Sequence, residues 1–158
     1  MQELYFCRLQ LRFSKYDFNI KVEDNKQTIF DIVRKKYVAL TPEEWVRQHV
    51  IHYLVQEHEF PKALISVEKK LIVNELVKRT DVVLYNRNAI PVLIVECKAP
   101  DIRVTQKTID QVARYNLTLR VPYLWVTNGS EHVACRIDHV SRSYAFIEEL
   151  PSGTDLLL

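Results

Sequence analysis

A chain of 158 residues that is 47% hydrophobic and 27% charged has the balance of a soluble globular protein, long enough to bury a core without staples. Its formal charge of +2 is too small to argue for a polyanionic partner by itself, and no apolar run approaches the ~18 residues of a membrane span. Only two glycines occur, Gly129 and Gly153, so neither a GxxxxGK[ST] phosphate loop nor a GxGxxG dinucleotide turn can be written, which excludes nucleotide binding of those kinds.

Three cysteines, an odd number without paired spacing, point to a reducing compartment, and with no signal-peptide layout the expectation is a cytoplasmic protein. The expected organisation is one α/β domain over residues 1–158, with 1–39 as an N-terminal extension and 40–150 as the core. In the extension Tyr5, Phe6, Leu9, Leu11 and Phe13 lead into Phe18–Val22. A turn at Asp24-Asn25 then returns the chain through Gln27–Val33, so a hairpin over one edge of the core is expected.

Thr41-Pro42-Glu43-Glu44 reads as a helix start: Thr as N-cap, Pro in the first helical position, and acids where the helix dipole favours them. The helix runs to about Glu57, with Val46, Val50, Tyr53 and Leu54 on one face. Helical phase puts Glu43 at the head of that face and Glu44 about 100° away. His49, His52 and His58 have no third ligand arranged to complete a zinc site and read as packing or surface residues. Leu64–Val73 is expected as the first strand of a central sheet, with Glu68 leaving on the solvent side. The basic runs Arg34–Lys36, Lys69-Lys70 and Lys78-Arg79 are either solvated faces or phosphate contacts.

Thr80–Tyr85 and Pro91–Cys97 are β-branched and aliphatic runs joined by Asn86-Arg87-Asn88-Ala89, a tight-turn sequence in which Asn tolerates left-handed backbone. A hairpin folded symmetrically about the Asn88–Ala89 link sets Asp81 across from Glu96, with Cβ atoms roughly 5 Å apart. Strand alternation puts Glu96 and Lys98 on one face and Cys97 on the other. Two facing carboxylates repel unless a divalent cation or the nearby ammonium offsets them.

After Pro100 a polar crossing leads to a second helix capped by Thr105 or Thr108 and running to about Leu119, with Ile109, Val112, Ala113 and Leu117 as its apolar face. Gln111 and Tyr115, four apart, stack on one side of it, and Arg114 is a candidate phosphate contact. Pro122–Thr127 is the next strand, Asn128-Gly129 a hairpin signal, and His132–Ile137 and Ser143–Leu150 follow as strands. Pro151–Leu158 reads as a peripheral, frayed end.

Asp81 followed by Glu96-Cys97-Lys98 resembles the PD-(D/E)XK nuclease signature. With Leu40–Gln48, Asp110–Asn116 and Val126–Gly129, residues 28 to 135 resemble the N-terminal nuclease domain of type I restriction enzyme R subunits. The resemblance implies a restriction-endonuclease-like sandwich: a mixed central sheet with an αβββαβ core, flanked by helices. It implies a Mg²⁺-dependent DNA endonuclease, with Mn²⁺ able to substitute, in which Asp81, Glu96 and the Cys97 carbonyl hold the metal. Lys98 would orient the attacking water, whether or not it is itself the base. A first-helix acid, Glu43 or Glu44, would approach the metal, and Gln111 and Tyr115 would position substrate or Lys98. DNA and other restriction-modification subunits are the implied partners, with neither nucleotide nor membrane. The family's motor normally lies downstream, and these 158 residues carry none. The rival readings are a non-catalytic DNA-binding or assembly module and a plain strand-end ion pair.

Overall fold

The computed structural model describes residues 11–73 and 75–158; Tyr5, Phe6 and Leu9 lie outside the described residues. Three short strands open the chain: β1 (Ile20–Glu23), β2 (Lys26–Asp31) and β3 (Lys36–Ala39), an antiparallel sheet in the order β1-β2-β3. The expected Asp24-Asn25 turn is present, both residues taking positive φ (48° and 58°), as a two-residue hairpin turn demands. The third strand was not anticipated.

Helix α1 (Pro42–Gln56) begins as its sequence predicts, with the Thr41 hydroxyl accepting a hydrogen bond from Glu44 N–H at 3.1 Å. Val46, Val50 and Leu54 are fully buried on the expected face. The other faces are covered as well: Glu44, Arg47, Gln48, His49 and His52 are all buried. The cause is a second layer, because Ile20, Ile29 and Val38 of the small sheet join the same apolar cluster as α1. The small sheet therefore lies over α1, and Phe13 ahead of it packs on Trp125. His49 and His52 pack among Phe18, Trp45 and Tyr16, while His58 falls beyond the helix end and bonds to the Pro151 carbonyl at 2.8 Å.

The expected strand from Leu64 to Val73 is broken in two. β4 (Ile65–Val67) belongs to the main sheet, Glu68 then takes a left-handed conformation (φ 52°), and β5 (Lys70–Val73) pairs with β6 (Leu76–Arg79) as a separate two-stranded ribbon. β7 (Val82–Tyr85) and β8 (Pro91–Cys97) form the expected hairpin. Val82 pairs with Val95, Val83 with Ile94 and Leu84 with Leu93, before a bulge shifts the register at Tyr85. In its turn the left-handed residue is Ala89 (φ 58°), not an asparagine. Asn86 Oδ1 fixes the loop by accepting from the N–H groups of Asn88 and Ile90, each at 3.0 Å.

Helix α2 (Gln106–Leu119), capped by Thr105, crosses over to β9 (Tyr123–Thr127), which lies parallel to β8. β10 (His132–Asp138) and β11 (Ser143–Ile147) complete a mixed six-stranded sheet in the order β11-β10-β9-β8-β7-β4. Gly129 in the β9–β10 turn has φ 89° and lies against Leu11. The sheet separates two cores: Leu93, Val95 and Trp125 pack with α1, and Ile94, Leu124 and Val126 pack with Ile109, Val112 and Ala113 of α2. Each fully buried aliphatic side chain in them contributes roughly 1.5–3 kcal/mol. The C-terminal end is packed, not frayed: α3 (Gly153–Leu156) carries Leu156 into the α1-side core at 2% exposure. Among the described residues no helix is long and apolar enough to cross a membrane.

Candidate functional site

The register of β7 and β8, continued one pair beyond Val82 and Val95, sets Asp81 beside Glu96 at one end of the sheet. Their side chains are each about one-sixth exposed, and both have cationic partners. Asp81 Oδ2 accepts the Cys97 N–H at 2.7 Å, while its Oδ1 accepts from Arg47 Nη2 at 2.8 Å. Glu96 Oε1 accepts from Lys98 Nζ at 3.0 Å, and its Oε2 is 3.8 Å from Lys78 Nζ. Lys98 is held in place by its own N–H, which donates to the Thr127 carbonyl of β9 at 2.8 Å. Strand pairing thus sets Asp81 beside Glu96, which Lys98 reaches, while Arg47 of α1 holds Asp81.

Partial burial works against the Lys98 ammonium, but Glu96, with Asp81 and Glu43 behind it, outweighs that and raises its pKa above the ordinary lysine value. Lys78 goes the other way, because burial disfavours its charge more than Glu96 and Asp81 favour it. Burial raises the pKa of Glu43, and the field of Asp81 adds to it; Arg47 and Lys98 act in opposition. The Cys97 thiol is enclosed and pushed well above the usual thiol range, so its chemistry is confined to its backbone.

Gln111 and Tyr115 are exposed on α2 and line, with Glu96, Lys98 and Lys78, a cleft of about 240 Å³. Lys78 Nζ lies 4.5 Å from the centroid of the Tyr115 ring, a cation–π contact that closes one wall. Arg114 is exposed beside them. A larger cavity of about 470 Å³ lies on the α1 side among Phe13, Tyr53, Trp125 and His132, but it contains none of the acids or lysines just described. The cleft beside Glu96, smaller as it is, carries the reactive groups.

The two acids opening α1 part company. Glu43 is 45% exposed and reaches Arg47 Nη2 at 2.8 Å, within the field of Asp81 and Glu96. Glu44, at 6%, is enclosed by Arg34 (2.5 Å), Gln48 (2.9 Å) and Arg47. Arg34 also grips Asp31 (2.8 Å) and Glu68 (2.7 Å), so Glu68 points inward to the arginines instead of leaving on the solvent side. Arg34 is accordingly an internal cation and no free phosphate contact. Burial raises the Asp31 pKa, but the Arg34 N–H, the Gln48 amide and the Arg34 charge together bring it below the ordinary aspartate value. Reading the sequence alone missed this network. Arg47 had a visible signal, three and four residues after Glu44 and Glu43; Arg34 and Glu68 had none.

Of the acids, Glu96 lines the cleft and Asp81 lies next to it on the paired strand; carboxylate oxygens are the donors a hard divalent cation takes. Among the described residues no group of three or more His, Cys, Asp or Glu side chains is arranged to hold a metal, so at most two acids with water would do so.

A family model described as "Type I restriction enzyme R protein N terminus" matches residues 42–151. Among curated proteins no significant match was found. A solved fragment described as an HsdR subunit of a type I restriction enzyme from Vibrio vulnificus YJ016 is similar at 21% identity and a TM-score of 0.39. The match covers 58% of this chain and 19% of that one, so the chain spans about a fifth of that relative's length.

Proposed function

The chain belongs to the type I restriction enzyme R protein N-terminus family, and from that membership we propose that it is a PD-(D/E)XK endonuclease domain hydrolysing DNA phosphodiester bonds. The observation that carries the reading is the placement of Asp81 beside Glu96 and Lys98 at the ends of paired strands, with Glu96 and Lys98 opening into a cleft walled by Gln111 and Tyr115. The order of α1, β4, β7, β8, α2 and β9 supports a restriction-endonuclease-like sandwich. Residues 40–150 would form the core of one domain, with DNA and other restriction-modification subunits as partners.

Asp81, Glu96 and the Cys97 carbonyl would hold Mg²⁺, or Mn²⁺ in its place. The ion would supply charge relief on the phosphate and a more acidic water. The chain's own groups do the rest. Lys98, kept as an ammonium by Glu96, orients the attacking water by hydrogen bonding and stabilises negative charge building on the phosphate. Arg47 holds Asp81 from behind, and Glu43 reaches the same guanidinium from the head of α1. The Gln111 amide and the Tyr115 hydroxyl position the substrate strand along the cleft.

A second reading, a DNA-binding or assembly module without catalysis, is favoured by one observation: Asp81 and Glu96 each already have a cation within ion-pair distance. Plasmid nicking with Mg²⁺, together with Mn²⁺ titration calorimetry, separates the two. Under the nuclease reading the natural protein cuts and binds Mn²⁺, and Asp81→Ala, Glu96→Ala and Lys98→Ala lose cutting while remaining folded. Cutting that persists undiminished in all three, or none by the natural protein, removes it.

A further inference from the structure

We propose that the β5–β6 ribbon is a DNA-binding arm that enters a groove of the duplex beside the cleft; this rests on the nuclease reading of that cleft. The ribbon register pairs Lys70 with Arg79 and Ile72 with Val77, so these four side chains share one face. Ile72 is 70% exposed and Val77 61%, two β-branched aliphatics side by side toward the tip. Lys70 and Arg79 stand at the base of the same face, both exposed, with Arg79 also 2.9 Å from Glu68 Oε1. From Lys69 to Arg79 there are four cationic side chains and one carboxylate, Glu75.

The ribbon is fastened to the proposed catalytic end of the sheet. It leaves the sheet at Glu68, whose N–H donates to the Asp81 carbonyl at 2.9 Å. It returns at Thr80, whose N–H and hydroxyl both donate to the Lys69 carbonyl, at 3.0 and 2.9 Å. Its opposite face supplies Lys78 to the cleft, against Glu96 and Tyr115. A phosphodiester seated near Lys98 would thus have the ribbon alongside it.

Charge and shape select duplex DNA as the occupant. A protein-binding patch with an apolar centre is depleted in lysine, whereas here cations bracket the aliphatic pair. A two-stranded ribbon fits the width of the major groove, and four residues of strand span about 13 Å, more than the groove's depth. Basic side chains at the base would then lie at phosphate level, with Ile72 and Val77 against base edges, thymine methyls or sugars.

The test is anisotropy of a fluorescein-labelled 30-base-pair duplex with the full chain in EDTA, where no cutting occurs, alongside urea unfolding. The double variant Ile72→Ser/Val77→Ser should bind about ten-fold more weakly with an unchanged unfolding midpoint. Lys70→Ala should lower the slope of log affinity against log salt by about one. Unchanged affinity in the double variant, or no duplex binding by the natural protein, overturns the proposal; the first with altered self-association would mark a protein contact instead. Because binding is read without metal, loss of this arm and failure of the nuclease reading are separately visible.

Discussion

Arg47 Nη2 lies 2.8 Å from Asp81 Oδ1 and 2.8 Å from Glu43 Oε1, so one guanidinium nitrogen ties the head of α1 to the entry of β7. The Arg47 side chain is 5% exposed, and its other terminal nitrogen serves the buried Glu44. Removing a partner from such a cluster leaves enclosed charge unpaired, at a cost of about 3 kcal/mol. Arg47→Met, which keeps the stem, should therefore lower the free energy of urea unfolding by about that amount. Arg79→Ala, which breaks the pair between Glu68 and the largely exposed Arg79, should cost less than about 1 kcal/mol. Equal losses in the two variants would show that the buried cluster has no special weight.

Glu43 and Glu44 are adjacent in sequence and divided in environment. Glu44→Ala should destabilise the fold by about 2–4 kcal/mol, because Arg34 and Arg47 lose a buried counter-charge. Glu43→Gln should stay within about 0.5 kcal/mol of the natural protein, yet lower Mg²⁺-dependent cutting through the Arg47–Asp81 contact. Parallel unfolding and nicking assays would expose a reversed assignment at once.

Acid stability should depend on His49. Burial pushes its pKa down to about 4; the Trp45 carbonyl, to which Nδ1 donates at 2.8 Å, opposes the shift, and His52 adds to it. In the unfolded chain the ring titrates near 6.5, so between about pH 6.5 and 4 the unfolded state binds more protons. Stability is therefore complete above that window and falls as pH drops through it, by up to about 3 kcal/mol. Asp31, lowered from 3.8, adds a further loss only below its unfolded value. His49→Gln should reduce the loss in the upper window in urea titrations at successive pH values, leaving the part due to His52 and His132, which burial also lowers, and the lower window in place.

Gly129 combines φ 89° with a close neighbour: an added Cβ would sit 2.6 Å from Leu11 Cδ2. Gly129→Ala should cost about 1–3 kcal/mol from backbone strain and displacement of Leu11. If contact with Leu11 contributes, the double variant with Leu11→Ala should lose less than the sum of the single losses.

The hairpin of β7 and β8 was legible because two β-branched runs flank a turn of matching length, which fixes the register and with it the pairing of residues 81 and 96. Both helix starts were legible, from Thr41-Pro42 and from the pair Thr105 and Thr108, of which Thr105 is the cap; a hydroxyl there satisfies a free backbone N–H. The break at Glu68 was not, since a left-handed glutamate has no compositional sign and Leu64–Val73 reads as one strand. Nor was the fate of Arg34, Arg47 and Glu68, because charged residues look solvated until another layer covers them. That same layer, the β1–β3 sheet, enclosed Glu44 despite its helical phase. Leu156 was missed for a related reason: a short apolar tail shows no periodicity to mark it as core.

The bend at Glu68 has a bearing on solubility. The margin of the main sheet on that side consists of three residues, Ile65–Val67, after which the backbone turns away into the ribbon. An incoming strand from a second molecule would find too few free amide and carbonyl groups in line to zip along, so stacking of copies into fibrils has little to start from at that rim.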